Sequence, residues 1–173
     1  MKFRKELHNI QPYKAGKPIE EVKRELGLSQ VYKLASNEIP FAPTYLKAVF
    51  ERETERINRY PEGSCFYLRE ALSKKLAVAQ DQLVFGNGSD EIIVLALRAL
   101  INPGDEAIVA YPTFLIYELQ AKVHNARVVR VPLRNLRYDL EAITSKVTKK
   151  TKIIFIANIL KIYLEVSSLS HIL

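Results

Sequence analysis

From Asp81 onward, apolar and polar positions fall into blocks that alternate between a strand-like and a helix-like rhythm. "DQLVFGNG" predicts a short strand entering a glycine turn, and "SDEIIVLALRALI" a strongly apolar helix ended by "NPGD". "EAIVAYP" predicts a buried strand. "TFLIYELQAKVHN" is then a helix with Thr113 as its N-cap, "ARVVRVPL" a strand, "DLEAITSKV" a helix and "KIIFIAN" a strand. Strands alternating with helices over short connections indicate an α/β layered fold with a mostly parallel sheet. Upstream the pattern is looser. The stretch to about Pro43 is irregular, with one amphipathic helix in "KPIEEVKRELGL", where Pro18 can start it, Gly27 can stop it, and Ile19, Val22 and Leu26 share a face. "VYKLASNEIPFAP" predicts a brief strand and a proline-broken loop. "TYLKAVFERETERI" is a helix with Thr44 as candidate N-cap, "NRYPEGS" a loop, and "CFYLREALSKKLA" another helix.

In such sheets ligands bind at the carboxyl ends of strands, where they hand over to helices. Three turns qualify: "GNGSDE", "AYPTF" and whatever follows "FIAN". In the first, Gly86 and Gly88 permit a tight turn and a close approach by a ligand. The amides of Ser89 and Asp90 would open a helix, a place that suits a phosphate. Asp90 would repel that phosphate, and a plain reading makes Asp90 a helix-start carboxylate and Ser89 a cap. The stretch is neither a Walker loop nor the Rossmann fingerprint, whose third glycine it lacks. Phe114, at the start of the next helix, could lie flat against a planar ring or pack in the core. Tyr60 in "NRYPEGS" could reach across a subunit contact or be half-buried. Asn37 could bind a substrate carboxylate or make an Asx turn.

Composition changes this picture little. The 173 residues are 48% hydrophobic and 26% charged, ordinary for a globular domain. The formal charge of +7 could attract an anionic metabolite or nucleic acid, but the basic residues are scattered and read as a solvated surface. Lone Cys65 excludes a disulfide within the chain, and His8, His124 and His171 show no metal-ligand spacing. The amino-terminal stretch has no apolar core of signal-peptide length, and no apolar run is long enough to span a membrane. A cytoplasmic protein is expected.

Taken in order, "IQPYKAGKPIEEVKRELGL", "YKLASNE", "INRYPEGS", "LVFGNGSDEII", "LINPGDEAIVAYPTFLIY" and "VVRVPL" resemble the amino-terminal half of the histidinol-phosphate aminotransferases. These are fold-type I enzymes that use pyridoxal 5'-phosphate. The resemblance runs from about Ile10 to Asn158, and threonine-phosphate decarboxylase is a close sibling. It implies the large domain of a fold-type I transferase, a three-layer αβα arrangement with a mostly parallel sheet, incomplete here. It also implies that Gly88, Ser89 and Asp90 form part of the cup for the cofactor phosphate and that Phe114 stacks on the pyridine ring. Tyr60 would reach the cofactor phosphate of a neighbouring subunit, which makes a homodimer the functional unit. Tyr13 would help bind the substrate phosphate, and Asn37 would lie near the substrate. The reaction implied moves an amino group between histidinol phosphate and 2-oxoglutarate in histidine biosynthesis.

The resemblance stops after "FIAN". The family continues with an Asn-Pro-Asn-Asn-Pro-Thr-Gly loop; here the chain reads "ANILKIYLE", and Lys161 takes the place of the asparagine that meets the cofactor's phenolic oxygen. The Schiff-base lysine, the aspartate on the pyridinium nitrogen and two arginines have no matching positions, so no catalytic residue is assigned. Codons that encode Ile159 onward, read two bases later, can spell Pro-Lys-Asn-Leu-Ser-Gly-Ser, close to the family loop. A frameshift after Asn158, real or from sequencing, is therefore expected, with residues 159–173 an aberrant tail. Residues 1–43 would be an arm and small-domain segment, and residues 44–158 the first part of the cofactor-binding domain. Three readings follow: an aminotransferase fragment inactive by itself, a fragment of a related decarboxylase-like enzyme, or a non-catalytic basic binding module. The last has no nucleic-acid motif behind it.

Overall fold

The computed structural model describes residues 3–8, 10, 12–13, 15–36 and 38–157. The expectations for Asn37, and for everything from Asn158 on, lie outside the described residues. Contacts divide the described residues into two compact units: those up to Tyr13 together with those from Val84 to Ala157, and those between 15 and 83.

The second unit is helical. Helix α1 spans Ile19–Leu26 and stops as predicted at Gly27, whose φ of +65° is the left-handed conformation that glycine adopts without a Cβ clash. The N–H groups of Gly27 and Leu28 both turn back to the Lys23 carbonyl. Ile19 and Val22 are half-buried, but Leu26, predicted on the same face, is exposed. The single helix expected from Thr44 is three pieces: a 3-10 turn at Thr44–Leu46, helix α2 over Lys47–Glu53, and another 3-10 turn at Thr54–Arg56. Thr44 makes no cap bond, and Thr54 Oγ1 donates back to the Glu51 carbonyl at 2.7 Å, a local bond that competes with regular helix. Helix α3 spans Phe66–Leu76.

Neither early strand forms among the described residues. Ser36 sits at φ +70° and breaks the first run. In the second, Gln80–Gln82 is a 3-10 turn. Leu83 is extended, but its carbonyl accepts from Arg69 Nη1 of α3 at 2.6 Å, as does that of Gln80. An arginine side chain takes the acceptor that a neighbouring strand would have used.

The first unit carries the predicted alternation. Helix α4 (Gly88–Leu100) leads to β1 (Glu106–Tyr111), α5 (Leu115–Val123), β2 (Arg127–Pro132), α6 (Leu140–Ser145) and β3 (Thr151–Phe155). The strands are parallel in the order β2-β1-β3, with Glu106 opposite Arg127 and Ile108 opposite both Val129 and Ile154. β1 is central and buried from Glu106 to Ala110, which is why "EAIVA" is a continuous apolar run after its first residue.

Successive side chains on a strand face opposite ways, and the core divides accordingly. Ala107, Val128, Ile153 and Phe155 pack with Ile93 and Leu97 of α4 and Ile116 and Ala121 of α5. Ile108, Val129 and Val131 pack with Ala142 and Ile143 of α6. Helices therefore cover both faces of the sheet, the predicted three-layer arrangement. Fully buried Leu97, Ile108 and Val109 each contribute about 1.5–3 kcal/mol relative to exposure. Asp139 caps α6, accepting from the Ala142 amide at 2.8 Å. At α5 the N-cap position is Phe114, not Thr113, and no side chain caps it. Buried Glu106, at the entry to β1, accepts from Arg127 Nη1 at 3.0 Å and from Thr148 Oγ1 at 2.6 Å.

Candidate functional site

The turn from Gly86 to Asp90 is the first of the candidate handover points, and its geometry follows from its two glycines. Gly88 has φ +80° and opens α4. A Cβ there would meet nothing within 4 Å, so open space lies beside it. A Cβ on Gly86 would come within 3.0 Å of Ile92 Cδ1 and 3.2 Å of Glu91 Oε2. Asn87 holds the N-cap position, yet its side chain does not cap the helix. Ser89 is thus inside the first turn rather than a cap, and Asp90 is the helix-start carboxylate of the plain reading. Gly88, Ser89 and Asp90 are all exposed. The Gly88 amide donates to the Gly86 carbonyl at 2.9 Å, and an uncapped, glycine-opened helix start of exposed residues can accept an anion at the amides that follow.

A residue that the sequence reading passed over organises this turn. Glu91 Oε2 accepts from the backbone N–H of Asn87 at 2.6 Å and from Asn87 Nδ2 at 2.9 Å. This is the returning half of a capping box moved one residue along the helix. The signal was present as an acidic residue in the first turn after an asparagine.

Helix α4 feeds β1 through a short turn, so its beginning lies toward the carboxyl edge of the sheet. There β1 hands over to α5 through a cis Tyr111-Pro112 bond, followed by Phe114. The Phe114 ring is half-buried, with its edge contact to Tyr117 at 5.6 Å between centroids and 90° between planes. Tyr117 in turn stacks on Phe155 of β3 at 4.7 Å. Phe114 is thereby anchored on the core cluster at the handover point, in line with the packing reading of it. Burial pushes the Tyr117 phenol up from its ordinary value.

Two further groups support the carboxyl edge. Arg130 of β2 pairs with buried Glu118 of α5, and its guanidinium lies 5.1 Å from the centroid of the Tyr111 ring. The hydrogen bond from Arg130, aided by Lys122 and opposed by burial, holds the Glu118 carboxyl below its ordinary value. The Tyr138 hydroxyl donates to the Ala157 carbonyl at 2.9 Å and accepts from the Ala157 amide at 2.7 Å, just past β3. Neither pairing is visible in sequence spacing.

Gly88, Ser89, Asp90 and Phe114 all belong to the unit that holds the sheet, and so does Tyr13, which is partly exposed. Tyr60 belongs to the helical unit and is fully exposed. No metal-binding group of three or more His, Cys, Asp or Glu occurs among the described residues, and none of their helices is long and apolar enough to cross a membrane.

Residues 29–160 match the family model of the class I and II aminotransferases. The chain belongs to this family. Among curated relatives, the histidinol-phosphate aminotransferase of Moorella thermoacetica is 48% identical over 158 residues, covering 91% of this chain and 41% of the relative. That of Caldicellulosiruptor saccharolyticus is 44% identical over 157 residues, covering 90% of this chain and 44% of the relative. The chain therefore spans less than half the length of these curated relatives. Among solved structures, the histidinol-phosphate aminotransferase of Sinorhizobium meliloti in complex with pyridoxal-5'-phosphate aligns with a TM-score of 0.73 at 20% identity, over 87% of this chain and 41% of that one. An aspartate aminotransferase from Thermus thermophilus aligns at 0.74 and 20% identity, over 90% of this chain and 44% of that one. At that identity the likeness establishes the fold: these αβα layers are part of the fold-type I aminotransferase domain.

Proposed function

We propose that this chain is the amino-terminal part of a pyridoxal 5'-phosphate-dependent aminotransferase that exchanges an amino group between histidinol phosphate and 2-oxoglutarate in the cytoplasm. The observation that carries the reading is the start of α4: a left-handed glycine, an N-cap asparagine whose side chain leaves the helix uncapped, and the exposed residues Ser89 and Asp90 in its first turn. A phosphate fits there, because helix amides and the helix dipole favour an anion and no Cβ crowds Gly88. The substrate reading is supported by relatives: curated proteins at 40–48% identity are named histidinol-phosphate aminotransferases. Threonine-phosphate decarboxylase-like chemistry and a basic binding module find no support among them.

Gly88, Ser89 and Asp90 hold the cofactor phosphate in this reading, and Phe114 covers one face of the pyridine ring. Tyr13 and Asn37 serve the substrate. Tyr60, fully exposed here, meets the cofactor phosphate of a second subunit, so the working unit is a homodimer. The bound cofactor supplies an electron sink for the amino-group carbon. The chain's own residues bind it and orient it. Residues 1–43 contribute the arm and part of the small domain, and residues 44–158 the first part of the cofactor-binding domain. The 173 residues contain no match for the family's cofactor-holding lysine, so this polypeptide by itself should bind without turnover.

Equilibrium dialysis of the purified chain against pyridoxamine 5'-phosphate and against pyridoxamine checks the cup. Both lack the aldehyde that would react with surface lysines. Preference for the phosphorylated compound is expected, and equal retention of the two rejects the cup. Formation of glutamate from 2-oxoglutarate, with histidinol phosphate as the amino donor converted to its ketone, by the unaided 173-residue chain would contradict the assignment of catalysis elsewhere.

A further inference from the structure

A carboxylate beside a phosphate site should weaken binding by Coulomb repulsion, yet the first turn of α4 carries two, Asp90 and Glu91. The hydrogen bonds of Glu91 account for its presence. Its Oε2 takes both the backbone N–H and the Nδ2 of Asn87, at 2.6 and 2.9 Å. The bond to Nδ2 occupies the Asn87 side chain, which does not cap the helix. The bond to the backbone N–H fixes the peptide between Gly86 and Asn87. The missing Cβ of Gly86 makes room for this arrangement, since an added one would crowd Glu91 Oε2 at 3.2 Å.

We propose that Glu91 is a positioning residue for the phosphate cup: it latches Asn87, diverts that side chain from the helix start, and so keeps the amides of Ser89 and Asp90 open to an anion, the Gly88 amide being taken by the Gly86 carbonyl at 2.9 Å. The idea rests on the cofactor reading above and concerns a residue that does not itself touch the ligand. With the latch gone, Asn87 is free to rotate and cap α4, as asparagine commonly does. The helix keeps its fold while the anion loses its place.

Positioning and simple electrostatics predict opposite signs. Pyridoxamine 5'-phosphate and pyridoxamine are titrated into the unaltered chain, Glu91→Ala and Glu91→Gln, and thermal unfolding of each is recorded. Positioning predicts that Glu91→Ala weakens the phosphorylated ligand roughly tenfold, as expected when charge-assisted hydrogen bonds are removed, and leaves pyridoxamine unchanged. Glu91→Gln, which keeps an acceptor, falls between the two. Equal or tighter binding of the phosphorylated ligand by Glu91→Ala overturns the proposal and leaves the cup intact. Failure of the unaltered chain to prefer the phosphorylated ligand rejects the cup, and the proposal with it. Amide hydrogen exchange at Asn87 needs no ligand: faster exchange in Glu91→Ala than in the unaltered chain is expected, and unchanged exchange overturns the latch.

Discussion

Arg130 of β2 donates from Nε and Nη2 to the two carboxylate oxygens of Glu118 on α5, at 2.7 and 2.5 Å. The pair ties a helix to the strand that follows it, with Glu118 buried and Arg130 largely in solvent. Because Arg130 also lies over the Tyr111 ring, the same guanidinium steadies the end of β1 from which Phe114 emerges. Glu118 is one helical turn beyond Phe114, so the pair holds the handover point from two sides.

Arg130→Met should leave the buried carboxylate with Lys122 alone. Solvent screening around the guanidinium keeps the cost modest, roughly 1–3 kcal/mol in urea unfolding. An unchanged unfolding midpoint would show that Lys122 suffices.

Glu118 also makes stability depend on pH. Its carboxyl is held below its ordinary value, first by the hydrogen bond from Arg130. A carboxyl depressed in the folded state stabilises the fold at pH above its unfolded value, and that stabilisation is lost as pH falls through the folded value. The stability difference between the unaltered chain and Glu118→Gln should therefore be greatest near neutrality and shrink below about pH 4. Denaturant unfolding at several pH values measures it, and a difference independent of pH would exclude the ionised carboxylate as its source.

Gly88→Ala should cost about 1–2 kcal/mol, because an L-residue is strained in the left-handed region even where space is open. Binding of pyridoxamine 5'-phosphate should fall with it as the turn shifts. Thermal unfolding and dialysis on one preparation report both effects.

Tyr138→Phe keeps the ring and removes a hydroxyl that serves both backbone groups of Ala157. Loss of two hydrogen bonds at a partly buried site should cost about 1–3 kcal/mol. Exchange of the Ala157 amide should accelerate more than that of Ile108 in the central strand. Uniform acceleration would instead indicate loss of global stability alone.

The alternation from "SDEIIV" to "KIIFI" determined the strands, the helices and their layering. A central strand buried on both faces leaves little choice of residue, and polar residues then mark its ends. The glycine turn and Phe114 were legible for the same reason: each residue type there answers a local backbone or packing requirement. The early strands failed because extended propensity alone does not make a sheet. Leu83 has the dihedrals of a strand, but Arg69 takes its carbonyl. Thr44 and Thr113 failed as caps because cap position depends on where the preceding chain arrives, at Pro43 and Phe114.

The order β2-β1-β3, the pairing of Glu118 with Arg130 and the clasp of Tyr138 on Ala157 were decided only by tertiary structure. Each joins residues from different elements, 12 and 19 positions apart in the two side-chain cases, and no local spacing rule reaches that far. Sequence alone determined what each segment can bury and where a glycine turns the backbone. Folding decided which charged and hydroxyl groups meet when those segments are packed, because a buried polar group must find its partner wherever the chain brings one.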